Sequence, residues 1–128
     1  MAGFSDYLEN ELLDHVFRNS AYSQPAAVYV GLFTAAPSDS GGGTEVSGGG
    51  YVRKAVTFGA ASGGAIANTA EVDFGTTSAA WGTVTHFGIF DAESAGNLLA
   101  WDALTAEKTI GSGDPVSIPV GDLDVSLD

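Results

Sequence analysis

Side chains able to do chemistry are few in this chain, and their spacing sets the first limits. It has two histidines, His15 and His86, and no cysteine. A zinc site needs three or four convergent ligands, and neither histidine stands in a ligand-like spacing. Without cysteine there is no disulfide, no zinc–thiolate site and no thiol nucleophile. Serine is plentiful, but no G-x-S-x-G occurs, and GAASGGA at residues 59–65 lacks the strand–turn–helix setting of a nucleophile elbow. The glycine triplets Gly41-Gly42-Gly43 and Gly48-Gly49-Gly50 are followed by no Gly-Lys-Ser/Thr and carry negative charge nearby, so they do not read as a phosphate loop. Acidic residues gather at Asp91 and Glu93, and again at Asp114, Asp122, Asp124 and Asp128. Calcium takes six to eight oxygens, yet neither group follows the EF-hand or nonapeptide pattern, and a solvated surface explains both. Glycoside cleavage by paired carboxylates would need a sugar cleft with an aromatic platform; Trp81 and Trp101 are expected in the core instead. The expectation is a protein with no catalytic site, no metal and no cofactor.

Charge narrows the partners. Sixteen acidic residues against four basic ones give a formal net charge of −12. Arg18, Arg53, Lys54 and Lys108 are too few and too scattered to neutralise a phosphate backbone, and an anionic membrane would repel the chain as well. Acidity of this kind favours solubility at high local concentration. The N-terminal stretch has neither a basic region nor a continuous apolar run, so it does not read as a signal peptide. No segment approaches the roughly 18 apolar residues of a membrane span. The expected partners are therefore other proteins, with neither nucleic acid nor membrane among them.

The elements that would position any site come next. Asp6 with Glu9 suggests a capping box, and Leu8, Leu12, Leu13, Val16 and Phe17 recur near a helical period. Early acids and late Arg18 suit the macrodipole, and Asn19, Ser20 and Pro25 end the helix. This predicts an N-terminal helix or arm over residues 1–24, followed by a β-domain over residues 25–128. Leu8, Leu12, Val16 and Phe17 form its apolar stripe, available either to its own domain or to a neighbouring subunit. From residue 27 the period changes to two. Residues 27–34 are apolar on both faces, as in a strand buried from both sides. Residues 38–50 then form a loop of about 13 residues containing both glycine triplets, a length that marks function or disorder.

Further strands are predicted at residues 51–58, with Val52, Val56 and Phe58 on one face, and around Ala70, Val72 and Phe74. Others follow at 85–91, at 98–105 after a Gly96-Asn97 hairpin turn, and at 108–110. The C-terminal segment alternates through Val116, Ile118 and Val120, then Leu123, Val125 and Leu127. Pro119 confines it to an edge or a bulge. Eighteen glycines, about twice average usage, punctuate these runs. The fold class is all-β: a β-sandwich or Greek-key barrel of about seven or eight short antiparallel strands with one N-terminal α-helix.

The runs GFSDYLENELLDHVFRNSAY, VYVGLFTAAPSDSGGGTEVSGGGYVRKAVTF, WGTVTHFGIFDAESAGNLLAWDAL and GDPVSIPVGDLDVSL together resemble a family of small tailed-bacteriophage virion proteins, whose members often carry the label "tail fibre protein". The resemblance covers nearly the whole chain, most specifically at VGLFTAAP and the GGGY of the long loop. It implies a virion structural protein, made in the host bacterial cytoplasm, whose partners are the major capsid protein or tail proteins. A homotrimer on the particle is implied by the same resemblance. Small size, a lone helix, high acidity and the absence of a long shaft or internal repeat rank an outer capsid decoration (cement) protein first, with a tail or fibre component as the alternative. A carbohydrate-binding adhesion module on the same fold is the reading from a different class. Docking is expected through Leu8, Leu12, Val16 and Phe17, and through the glycines of the long loop.

Overall fold

The computed structural model describes residues 2–127. Strand β2 (Val28–Ala35) lies at its centre. It pairs antiparallel with β7 (Gly82–Phe90), from Tyr29 opposite Phe90 to Phe33 opposite His86. Beyond β7 lies β8 (Leu98–Ile110), and beyond that β1 (Gly3–Phe4), with Gly3 opposite Trp101. The other edge of β2 is taken by β4 (Lys54–Val56) along its first half and by β3 (Thr44–Glu45) along its second. Two further antiparallel pairs join β5 (Ala65–Ala67) to β10 (Asp124–Ser126), and β6 (Val72–Thr76) to β9 (Pro115–Ile118).

Two isolated bridges turn these pieces into a closed circuit. Phe58 opposite Asn68 extends the β4 edge onto the end of β5, and Ala2 bridges Val125 of β10 in parallel. Hydrogen bonds therefore run β2–β4–β5–β10–β1–β8–β7 and back to β2. This is the barrel form of the expected all-β fold. Within this circuit each strand is paired on both sides, as in a barrel, while the β6–β9 pair stands outside it. The β1 strand, part of the segment preceding the helix, is one of the staves.

The core lies inside this circuit: Val30, Leu32, Val56, Val84, Phe87, Ile89, Ala100, Leu123 and Val125 form one cluster, with Trp81, Val72 and Phe74 beside them. Alternate residues of β2 and β7 point the other way, and there Phe33, Phe90 and Leu98 form a second cluster with the partly buried Trp101. Burial on both faces explains the unbroken apolar run of β2. The 2.8 Å between a built Cβ on Gly88 and Leu98 Cδ1 shows why a larger residue does not fit opposite that second cluster.

Several sequence expectations need correction. The strand predicted at residues 51–58 is only Lys54–Val56; Tyr51 and Arg53 leave it to bond Leu32 and Glu45, and Val52 is exposed. The two strands predicted at 98–105 and 108–110 are one strand, β8, with an irregularity: His86 faces Ala103 while Val84 faces Lys108. The extra residues bulge out, which preserves pairing on both sides. Ala70, Val120 and Leu127, read as inward, are exposed because the regular strands stop short of each of them. The 38–50 loop is not structureless, since β3 pairs within it and Val46 is buried.

Candidate functional site

The helix start, the first glycine triplet and the β7–β8 turn converge on one region of the surface. Helix α1 (Asp6–Phe17) is capped by Ser5, not by Asp6 as the capping-box pattern predicts. Ser5 is fixed from three sides: its N–H donates to Leu99 O (2.8 Å), its Oγ donates to Leu98 O (2.5 Å), and the same Oγ accepts from Leu8 N (3.3 Å). With β1 paired to β8, the chain enters the helix one residue earlier than the acidic pattern suggests. Asp6 N–H then donates to Asp39 O (2.9 Å), and Trp101 Nε1 donates to Asp39 Oδ1 (2.9 Å). Asp39 thereby binds the long loop to both helix and barrel. Between these parts lies a cavity of about 340 Å³, lined among others by Tyr7, Asp39, Gly41, Gly42, Asn97 and Leu98. Partial burial, then the neighbouring Glu11 and Asp91 carboxylates, push the Tyr7 phenol above its ordinary pKa.

A second network holds the walls. Arg53 meets Glu45 through two hydrogen bonds of 2.8 Å, from Nε to Oε2 and from Nη2 to Oε1. Its Nη1 donates to Ala92 O (3.1 Å) and Ala95 O (2.7 Å), and the guanidinium lies 3.5 Å over the Phe90 ring. Tyr51 donates to Glu45 Oε2 (2.5 Å) and accepts from Leu32 N (2.9 Å). Gly31 leaves the room this requires: a Cβ there would stand 2.6 Å from Glu45 Oε2. Burial alone would raise the Glu45 carboxyl, but hydrogen bonds from Arg53 and Tyr51, with the Arg53 charge, outweigh it and hold the pKa below its usual value. Burial, then the bond to Glu45, pushes the Tyr51 phenol well above its usual range.

The sequence-predicted docking residues divide. None of the helix residues is buried. Leu8 and Leu12 are half-buried, whereas Val16 and Phe17 are 65% and 79% exposed, joined by Leu13 at 55%. Leu13 belongs to the exposed face in place of Leu8 and Leu12. Among the glycines, Gly41 and Gly42 line the cavity, while a Cβ on Gly43 would meet Pro37 N at 2.7 Å. Gly48 and Gly50 meet no close backbone. Gly49 stands against the core, where a Cβ would lie 2.7 Å from Ala79 O and 2.8 Å from the Trp81 ring. The two triplets are therefore not one surface.

Residues of possible chemistry have internal tasks. His15 Nδ1 accepts from Tyr22 N (3.0 Å), and His86 Nδ1 lies 2.8 Å from Thr85 Oγ1. Asp91 takes both N–H groups of Asn97, and Asp114 takes Gly111 N. Among the described residues no three His, Asp or Glu side chains are grouped to hold a metal ion; Asp128 lies outside them. Trp81 is in the core, as expected, but Trp101 is only partly buried. Sequence reasoning missed Asp39 and the Glu45–Tyr51–Arg53 network. One signal was present, since an arginine beside the second triplet in so acidic a chain asks for a carboxylate partner.

A closed barrel whose polar side chains brace its own loops, and whose helix turns apolar residues outward, has the make-up of a structural assembly module. The chain belongs to the family described as Podophage GP4 fiber I protein gp80, whose family model matches residues 3–126. It is a bacteriophage virion component. No match to a curated protein was found.

Proposed function

We propose that this protein is a structural component of a phage tail fibre and carries out no catalysis. The family match across residues 3–126 supports this reading, and it favours the fibre component over the capsid-decoration role ranked first from sequence. The argument for decoration rested on small size, the lone helix, high acidity and the absence of a shaft repeat. A closed barrel with one appended helix answers the points of size and repeat as a single module of a fibre, attached to longer partners. Any three-fold arrangement would then be imposed by those partners.

The test is location and copy number. Gold-labelled antibody against the protein should mark the tail region of intact particles, and quantitative mass spectrometry should return on the order of a dozen copies, as closed symmetric assemblies allow. Label spread over the head, with hundreds of copies, would restore the decoration reading.

A further inference from the structure

We infer that the outward face of α1, formed by Leu13, Val16 and Phe17, seats in an apolar groove rimmed by Lys and Arg on a different protein of the particle. The inference deepens the fibre reading by naming the attachment surface. A surface helix ordinarily turns its apolar side to its own core. Here Leu13, Val16 and Phe17, at positions i, i+3 and i+4 of one face, are 55%, 65% and 79% exposed. The half-buried positions are Tyr7, Leu8, Glu11, Leu12 and Asp14, so Leu8 and Leu12 cover part of their own surface while Leu13, Val16 and Phe17 stay outside. Bonds from the helix start to Asp39 and β8 hold the helix in this orientation. Contiguous exposed apolar side chains of this kind mark an interaction surface.

Charge selects the occupant. Glu9 lies four residues before Leu13, so it continues the same face toward the helix N-terminus, with Asp6 three residues earlier. The helix cation Arg18 is paired with Asp14 at 3.2 Å. A second copy of the chain would bring these carboxylates together and set −12 against −12. A basic rim complements them, as charge patterns at interfaces do.

The experiment supplies variants in trans to cells infected with phage lacking the gene, and counts copies in purified particles by mass spectrometry. Leu13→Asp with Phe17→Asp should lower incorporation by at least about tenfold, since charges enter an apolar seat, while the free protein keeps its melting temperature and monomeric mass. Glu9→Lys should also lower incorporation, because it puts a cation against the basic rim. Four outcomes would overturn the inference: unfolding of the double variant, unchanged incorporation of it, unchanged or improved incorporation of Glu9→Lys, or self-association of the parent protein that the double variant abolishes. Gold label on the head with the double variant still excluded would sink the fibre reading alone.

Discussion

At the scale of single residues, what stands beside the missing Cβ decides the role of each glycine. Gly42 and Gly49 both have positive φ, +81° and +61°, and both sit in a triplet. A side chain in that region costs about 1–2 kcal/mol at either position. At Gly42 nothing lies within 4 Å, so Gly42→Ala should cost only that amount. At Gly49 the new methyl would strike Ala79 O and the Trp81 indole, whose Nε1 bonds Gly49 O at 3.0 Å. Gly49→Ala should therefore destabilise by clearly more than Gly42→Ala, read as the difference in urea midpoints. Equal midpoints would mean that the second triplet is as loose as the first. The triplets are plain in the sequence, but their inequality is not, because Trp81 is brought to Gly49 from 32 residues away.

At the scale of elements, strands were legible where burial alternates and illegible where a single polar residue joins them. Asn68 is 2% exposed and holds the C-terminal segment onto the end of β5. Its Nδ2 donates to Ala70 O (2.9 Å) and Pro119 O (3.1 Å), and its Oδ1 accepts from Gly121 N and Leu123 N, both at 3.0 Å. The joint takes over where Pro119 interrupts the ladder, and Leu123 reaches the core directly after it. Asn68→Ala leaves the buried Leu123 N–H without its side-chain partner and should cost about 1–3 kcal/mol, seen as a lower urea midpoint at unchanged slope. Asn68→Asp keeps the acceptors, loses both donors and buries a charge, so it should not rescue. The helix shows the opposite failure. Its existence followed from periodicity, but the face it buries is set by its anchors at Ser5 and Asp6, which no periodicity reports.

At the scale of the whole molecule, stability against pH combines the overall charge with the Glu45–Arg53 pair. The Glu45 pKa is depressed on folding, so its contribution is fully present above the unfolded value, near 4.5, and is lost as pH falls through the folded value. Arg53 is the more enclosed partner, with 9% of its side chain exposed against 24% for Glu45. Removing Arg53 leaves Glu45 partly exposed and still bonded by Tyr51, so Arg53→Ala should cost about 1–3 kcal/mol at neutral pH, below the cost of a fully buried pair. Glu45→Gln should also melt lower than the parent at pH 7. The gap between them should narrow as pH falls from 5 to 3, because the parent's own carboxyl is then protonated. A gap independent of pH would show that the network acts through packing alone.

The sequence by itself determined the all-β class, the helix, the turns at glycine and the absence of any recognisable catalytic pattern. All of these are local: they follow from periodicity, from conformational preference and from which residue types are present. The runs it shares with tailed-phage virion proteins pointed the same way. Only the tertiary structure decided that the strands close into a barrel, because closure depends on Ala2 meeting Val125 and Phe58 meeting Asn68. It also decided that Arg53 finds Glu45, and that Leu13, Val16 and Phe17 face outward. Pairings between distant residues are selected by the packing of the whole chain, and a stripe on a helix says that an apolar face exists without saying what covers it.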